Sequence, residues 1–411
     1  VGTPPQVYNG SGVILGIIDS GIDFQHPAFL RPDGTSRILA IWDQDLNVTG
    51  TETTPQSHNF GVEYNRTAIN SALGSANPGT SVRHQCSGTG HGNHVASIAG
   101  GSSPHFPGIA TGADFIIVKP KGLSSLTTIP AMDYIYNMAD TLDRPCVINQ
   151  SQGINAGPHD GSMEIERYID KLLGRPGRSY IVAAGNFATD NIHWGQSLAS
   201  SASVTMTFTV EAVTSVANRP RFGKVEVWYP QNGQLSVSVT NPGGVLKGPH
   251  TQPTSGNANH PESFSSGTSL DIGLISNIPF NRKNQMLLNF QNFSAAGIDP
   301  GNWTITLTNT GTTPVEFHSW IERNNGSMHF QGFPNSAPYT GSTPGTAREV
   351  ISVGSYVTKP SSGSGVISPF SSQGPTVDGR IKPDISAPGQ LIKAARSQHT
   401  TDPRLGPETP G

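Results

Sequence analysis

The stretch Gly12-Val13-Ile14-Leu15-Gly16-Ile17-Ile18-Asp19-Ser20-Gly21 contains an almost continuous apolar run that ends in an acid and a turn. Runs of this length are typical of strands that are buried on both faces of a parallel sheet. Asp19 would then lie at the carboxyl end of the strand, the edge of an open α/β sheet where active sites form. The alternative is that Asp19 only caps the following turn. The run predicts an α/β fold with a mostly parallel sheet.

Strand-like and helix-like segments alternate over the first 200 residues. Short apolar runs predict four more strands, at residues 37–42, 115–119, 146–149 and 179–184. Apolar residues at helical spacing predict helices at residues 67–73, 129–142 and 163–173 and another that starts near His91. This alternation favours right-handed βαβ units, with helices that flank the sheet.

A histidine lies between two glycines in the segment Gly90-His91-Gly92-Asn93-His94-Val95-Ala96. The apolar residues that follow predict a helix, so His91 would lie where a loop enters it. Flanking glycine allows other backbone to approach closely, which suits an imidazole that faces a cleft. A single histidine is more often structural, so a functional reading depends on the rest of the sequence.

The hydrophobic periodicity changes near residue 200. Five segments alternate apolar and polar residues and are bounded by Gly, Pro or Asn: 205–210, 224–228, 235–239, 286–290 and 303–307. Such segments predict an antiparallel all-β module, a sandwich or jelly roll. The earlier pattern resumes at residues 346–353. We therefore expect a β-sandwich module at residues 201–340, inserted into an α/β domain formed by residues 1–200 and 341–411.

Composition excludes several classes of function. Only 13% of the residues are charged and the net charge is −3, which gives no electrostatic basis for binding nucleic acid or an anionic membrane. The longest apolar runs are too short to cross a bilayer. The 13 histidines show no spacing typical of zinc sites, so no metal or other cofactor is expected. Cys86 and Cys146 could pair or stay free, and free thiols are favoured.

Four motifs occur in the order Asp19-Ser20-Gly21-Ile22-Asp23, the His91 segment, Ala183-Ala184-Gly185-Asn186, and the pair of segments 370–375 and 382–389. Together they resemble the motifs of the subtilisin-like serine proteases, the subtilases. The Asp, His, Ser order is that of subtilisin. The inserted β module resembles bacterial subtilases with a jelly-roll insert, a group that includes spore-germination proteases. The resemblance implies a subtilisin-like fold and a secreted or cell-surface location.

The resemblance also implies roles for individual residues. His91 would be the general base, Asp19 would orient its imidazole, and the Asn186 amide would donate to the oxyanion. Ser151, Gln152 and Gly153 would pair with the backbone of an extended protein or peptide substrate. Asp23 and His26 would support the aspartate loop, whereas His94 is expected only to pack nearby. Structural calcium is compatible with the family, but the sequence does not locate its ligands.

The nucleophile motif of the family, Gly-Thr-Ser-x-Ala-Ala-Pro, does not occur in residues 1–411, so we expect its serine downstream of Gly411 and this chain alone to be inactive. Gly267-Thr268-Ser269 matches three of its residues, but it lies in the β module, and Ser269 is not favoured as nucleophile. Three hypotheses follow. The favoured one is a serine endopeptidase, the second is a pseudoprotease that binds or signals, and the third is a β-sandwich recognition module on a decayed scaffold.

Overall fold

The computed structural model describes residues 8–86, 88–322, 327–332, 338–359 and 365–400. The helices are α1 Arg66–Leu73, α2 Pro78–Ser81, α3 His91–Gly100, α4 Ser125–Thr141 and α5 Glu164–Leu173. The strands are β1 Ile14–Ile18, β2 Ile38–Asp43, β3 Val62–Asn65, β4 Asp114–Lys119, β5 Cys146–Gln150, β6 Arg178–Ala183, β7 His193–Leu198, β8 Ser203–Val210, β9 Phe222–Pro230, β10 Leu235–Thr240, β11 Leu246–Thr251, β12 Asn257–Ser263, β13 Ser269–Ile275, β14 Lys283–Gln291, β15 Gly301–Asn309, β16 Val315–Glu322, β17 Met328–Gln331, β18 Ile351–Tyr356 and β19 Ile385–Pro388.

The predicted mostly parallel sheet is confirmed. It has eight strands in the order β19-β18-β6-β5-β1-β4-β2-β3. Every neighbouring pair is parallel except β2 and β3, which run antiparallel at one edge. All five residues of β1 are buried, as expected for a strand that is covered on both faces.

Helices cover both faces of this sheet. Residues of α4 and α5 share one apolar cluster with β1, β4 and β5, while residues of α1 and α3 share a second cluster with the opposite sides of these strands. Helix α4 crosses β1 closely, because a Cβ atom on Gly16 would lie 2.6 Å from Ile135 Cγ2. It begins earlier than the predicted residue 129, since the N–H of Ser124 donates to Thr127 Oγ1 at 3.3 Å and caps an additional turn.

Two antiparallel sheets form a second module. Their strand orders are β11-β10-β15-β8-β17 and β12-β13-β14-β9-β16-β7. Alternate residues of β14 and β15 are buried, and the buried apolar side chains of both sheets meet in one core that contains Phe208, Phe290 and Trp303. The five alternating segments of the sequence correspond to β8, β9, β10, β14 and β15. A jelly-roll topology remains a prediction.

The chain enters the antiparallel sheets upstream of residue 201. Strand β7 pairs with β16 from Val315 opposite Leu198 to Trp320 opposite His193. Its sequence, His-Trp-Gly-Gln-Ser-Leu, does not alternate apolar and polar residues, so the pattern that located the other strands gives no signal there. The division of the chain into residues 1–200 with 341–411 and residues 201–340 remains a prediction.

The described part of the chain contains neither a membrane-spanning helix nor a disulfide. None of its helices has the length and apolar character needed to cross a bilayer. Cys86 and Cys146 are both buried free thiols. The Cys86 sulfur lies 3.6 Å from Ser20 Oγ, and Cys146 begins the central strand β5.

Candidate active site

The predicted site residues follow the carboxyl ends of neighbouring parallel strands. Asp19 follows β1, the segment 151–153 follows β5, and Asn186 lies three residues beyond β6. Strand β5 pairs in parallel with both β1 and β6, so these three ends lie along the same edge of the sheet. This is the edge where open α/β sheets form their binding sites.

Asp19 and His91 are in direct contact. Asp19 Oδ1 lies 2.8 Å from His91 Nδ1, and it also accepts the Ser20 N–H at 2.7 Å. The Asp19 side chain is fully buried, whereas the His91 side chain is 48% exposed. Among the described residues, nothing donates to the second carboxylate oxygen of Asp19. A buried carboxylate therefore holds an imidazole that faces solvent.

The environment of His91 favours its protonated form. Its hydrogen bond with Asp19 raises the pKa of His91 above the ordinary value, the negative charge of Asp19 adds to this effect, and partial burial opposes it. Because Nδ1 is bound to the carboxylate, Nε2 is the ring nitrogen left to exchange a proton with a reactant. An imidazole held in this way can act as a general base, with the carboxylate as its orienting acid.

Local backbone geometry explains why His91 begins α3. Gly90 precedes the helix with φ of +71°, a left-handed conformation that favours glycine, and it turns the chain into the first helical turn. The N–H of Gly92 then donates to Ser20 Oγ at 2.9 Å. This bond joins the first turn of α3 to the loop that carries Asp19.

Asn186 lies in an exposed loop whose base is anchored. Gly185 has φ of +108°, and its carbonyl oxygen accepts the Ser372 N–H at 3.0 Å. The hydroxyl oxygen of Ser372 accepts the N–H of Phe187 at 3.0 Å. Ser372 thus fixes the backbone on both sides of Asn186, while the side chain of Asn186 itself is exposed. Such an amide is available to donate a hydrogen bond to a ligand.

The segment 151–153 connects two paired regions. The sheet pairing of β5 ends at Gln150, and Ile154 then forms a single antiparallel bridge with Thr343. A Cβ atom on Gly153 would lie 2.5 Å from Ser342 Oγ, so glycine permits this close approach. Ser151 Oγ accepts from the Asn149 amide at 2.9 Å. Pairing of this segment with a substrate remains a prediction.

The side chain of Gln152, in the same segment, has a hydrogen-bond acceptor that is not satisfied by the described residues. Its side-chain oxygen is buried and has no hydrogen-bond donor among the described residues. Buried amide oxygens are nearly always paired in folded proteins. The position is compatible with a donor that a bound ligand would supply.

The residues expected to support the site contact neighbouring segments. Asp23 Oδ2 accepts the Gln398 N–H at 2.9 Å, which ties the aspartate loop to the last described segment. His26 Nδ1 accepts the Ala28 N–H at 3.1 Å at the start of a short 3₁₀ helix. His94 Nε2 lies 3.1 Å from the Ile392 carbonyl oxygen, so this histidine packs against the same late segment as Gln398.

Ser269 lies outside this region. It begins β13 in the six-stranded antiparallel sheet, and its hydroxyl donates to the Gln291 carbonyl oxygen at 3.3 Å. Ser269 and Gln291 are also paired partners in the ladder between β13 and β14. The hydroxyl is therefore engaged in the β module.

Sequence reasoning missed a second aspartate–histidine pair. His84 Nδ1 lies 2.7 Å from Asp43 Oδ2, and both side chains are buried. Burial alone would raise the pKa of Asp43, but the hydrogen bond with His84 and the positive charge of Lys119 outweigh it and hold the pKa below the ordinary value. Asp43 is the last residue of β2, and Asp19 directly follows β1. The position of Asp43 at the end of a strand is the sequence feature that could have indicated a second acid at this edge of the sheet. No cluster of three or more potential metal-ligating side chains occurs within the described ranges.

Comparisons with known proteins agree with the fold described above. A model of the subtilase family matches residues 10–278 and 316–408. The structure of the Clostridium perfringens CspB protease superposes with a TM-score of 0.78 and 25% sequence identity, covering 95% of this chain and 78% of that one.

Curated relatives match over shorter segments. An uncharacterised protein of Aquifex aeolicus (strain VF5) is 34% identical over 102 residues, which is 23% of this chain and 46% of that protein. The serine protease/ABC transporter B family protein tagD of Dictyostelium discoideum is 69% identical over 35 residues, 8% of this chain and 2% of that protein. The matches thus span less than half of either relative. Because the family model covers most of the sequence and the fold agrees with a solved protease, the chain belongs to the subtilase family of serine proteases.

Proposed function

We propose that this chain supplies the acid, the base and the oxyanion donor of a serine endopeptidase that cleaves peptide bonds. The observation that carries the proposal is the contact between Asp19 and His91, in which a buried carboxylate lies 2.8 Å from a half-exposed imidazole. A protein that only binds peptides has no chemical need for such a pair. Membership of the subtilase family supports the same reaction.

Each residue has a definite task in this reaction. His91 Nε2 takes the proton of a serine hydroxyl as the hydroxyl oxygen attacks the peptide carbonyl, and it later gives the proton to the leaving amine. Asp19 stabilises the imidazolium that forms between these steps. The Asn186 amide donates to the oxyanion of the tetrahedral intermediate, where charge develops.

Substrate binding is assigned to the segment after β5. Ser151, Gln152 and Gly153 would align an extended peptide by strand addition, in which main-chain hydrogen bonds give affinity and pockets select side chains. We assign residues 201–340 to a jelly-roll-like insert and the remaining residues to the protease domain. A secreted or cell-surface location is part of the same proposal.

The serine is assigned to polypeptide beyond Gly411, within a Gly-Thr-Ser motif followed by Ala-Ala-Pro. Without that hydroxyl, the pair of Asp19 and His91 has no nucleophile to activate. The competing function is a pseudoprotease that uses the same edge of the sheet to bind peptides without cleaving them. The two functions differ in whether a serine beside His91 reacts with an acylating or phosphonylating reagent.

A fluorophosphonate probe tests the proposal on the product of the full reading frame. We expect one labelled serine, located by mass spectrometry in the downstream motif, and loss of labelling in His91→Ala. His250→Ala, which changes a histidine of the β module, serves as the control and should label normally. Absence of labelling in the folded wild-type protein would favour the pseudoprotease, and labelling at Ser269 would contradict the assigned nucleophile.

A further inference from the structure

The second aspartate–histidine pair lies beside the first but is not used by the proposed reaction. His84 and Asp43 are joined at 2.7 Å, and their side chains are 0% and 1% exposed. Asp43 ends β2, which β4 connects in parallel to β1, so both pairs lie at the same edge of the sheet. Groups that are buried this completely cannot touch a substrate. Any effect of Asp43 and His84 on the site must therefore act through residues that they contact.

The hydrogen bonds of His84 fix its tautomer. The backbone N–H of Ile22 donates to His84 Nε2 at 3.0 Å. A backbone N–H can only donate, so Nε2 must present its lone pair. The ring proton then resides on Nδ1, where it is donated to Asp43 Oδ2. Asp43 thereby sets the tautomer that allows His84 to accept from Ile22.

Ile22 belongs to the loop that carries Asp19. Helix α3 holds this loop through two bonds, from the Gly92 N–H to Ser20 Oγ at 2.9 Å and from the Asp23 N–H to Asn93 Oδ1 at 3.0 Å. His84 lies outside α3 and therefore anchors the loop independently of this helix.

The imidazole of His84 also supports the loop by contact. Gly21 has φ of +107°, and a Cβ atom there would lie 2.8 Å from His84 Cε1 and 3.0 Å from the Gln85 carbonyl oxygen. The ring therefore occupies the space directly beside the Gly21 backbone. Loss of the ring would remove a packing surface together with the only acceptor described for the Ile22 N–H.

We propose that His84, with its tautomer set by Asp43, is a positioning residue that holds the Asp19 loop where Asp19 contacts His91. The inference rests on the proposed function, because it assigns a task within the same site. The buried pair of His84 and Asp43 could have a structural role or a positioning role, and the two differ in what they change. A purely structural pair would change stability alone, whereas a positioning pair must also change the properties of His91.

The titration of His91 is the direct readout, measured by NMR on this chain with ¹⁵N-labelled histidine. His84→Leu removes the acceptor but retains bulk, and His84→Gln offers an amide oxygen to Ile22. We expect His91 to titrate at lower pH in His84→Leu and to recover part of the shift in His84→Gln. His250→Gln alters a histidine that lies 3.0 Å from Glu262 in the β module and should leave the His91 titration unchanged.

A second variant keeps the test decisive if leucine prevents folding. Asp43→Ala removes the acceptor of the Nδ1 proton and offers no replacement, so nothing then holds that proton on Nδ1 and the lone pair on Nε2, opposite the Ile22 N–H. We expect the same downward displacement of the His91 titration and a changed amide resonance for Ile22. A folded variant at either position in which both signals match those of the wild type would overturn the proposal.

Kinetics on the product of the full reading frame distinguish this inference from the proposed function. A displaced Asp19 loop should lower kcat about tenfold to a hundredfold with little change in KM, because the geometry of the reacting groups is lost rather than substrate binding. If the wild-type protein does not react with fluorophosphonate, the proposed function fails. The NMR titrations still decide whether His84 positions the Asp19–His91 pair.

Discussion

The backbone of Gly92 lies directly against that of Gly21. A Cβ atom added to Gly92 would be 2.3 Å from the Gly21 carbonyl oxygen and 3.1 Å from Asp19 Cβ, the first of which is closer than real Cβ contacts allow. The contact brings the first turn of α3 onto the aspartate loop. Glycine at position 92 is therefore what permits His91 to reach Asp19.

Replacement of Gly92 by alanine should be destabilising. The atoms that the new methyl group meets belong to backbone and to Asp19, so they cannot move aside without disturbing the loop. We expect a loss of about 1–3 kcal/mol in the free energy of unfolding, measured in urea. Gly79→Ala is the control, since nothing lies within 4 Å of its Cβ position, and its effect should stay within about 0.5 kcal/mol. Equal effects of the two substitutions would contradict the packing explanation.

The sequence predicted part of this arrangement. Flanking glycines indicated close backbone approach at His91, and the apolar run of β1 indicated a buried parallel strand that ends at Asp19. The identity of the approaching backbone, Gly21, could not be predicted, because contacts between distant segments depend on how α3 packs against the sheet. The direct bond between Asp19 and His91 was expected only from the resemblance to subtilases.

Two other features showed no sequence pattern that identifies their partners. His84 and Asp43 lie 41 residues apart in sequence, and neither belongs to a motif that indicates pairing. Strand β7 lacks alternation, since its burial depends on pairing with β16 rather than on its own sequence. Periodicity identifies which face of an element is buried, whereas these features depend on which distant element covers that face.

Substitution of Asp19 by asparagine should lower the pKa of His91. The amide retains the shape of the carboxylate but loses its charge and weakens the hydrogen bond that raises this pKa, whereas the opposing effect of burial remains. NMR titration of His91 measures the change directly. An unaltered titration in a folded variant would show that Asp19 does not control His91.

The same interaction predicts a pH dependence of stability. Because the pKa of His91 is raised on folding, its contribution is fully present below the unfolded value of 6.5 and is lost as the pH rises through the folded value. Asp19→Asn should therefore cost more stability at pH 5 than at pH 9. Urea unfolding at the two pH values checks this, and an equal cost at both would argue against the linkage.

Truncation of Asn186 tests the assigned oxyanion donor. In the product of the full reading frame, Asn186→Ala should lower kcat about 10²–10³-fold with KM nearly unchanged, the loss known for the corresponding donor in subtilisin. The exposed loop position of Asn186 implies little effect on folding. Asn259→Ala, an exposed amide on β12, is the matched control. A change in KM alone would assign Asn186 to substrate binding instead.

A buried histidine cluster should make the protein sensitive to acid. His193 Nε2 lies 2.9 Å from His318 Nδ1, and His159 stacks on Trp320 with 4.1 Å between ring centres. Burial lowers the pKa of His318 from 6.5 to about 4, although Glu316 acts in the opposite direction, and burial lowers the pKa of His193 well below its ordinary value. Lys283 and His159, which also face His318, disfavour its protonation.

Between pH 6.5 and about 4, the ordinary and the folded pKa values of His318, the unfolded chain binds a proton that the folded protein does not. The free energy of unfolding should therefore fall as the pH drops from 6.5 toward 4. His318→Gln removes one of these groups. Across the interval, the free energy of unfolding of this variant should therefore fall by about 2 kcal/mol less than that of the wild type. Urea unfolding at several pH values measures both curves, with His105→Gln, at an exposed histidine, as the control. Parallel curves for His318→Gln and the wild type would show that the acid sensitivity arises elsewhere.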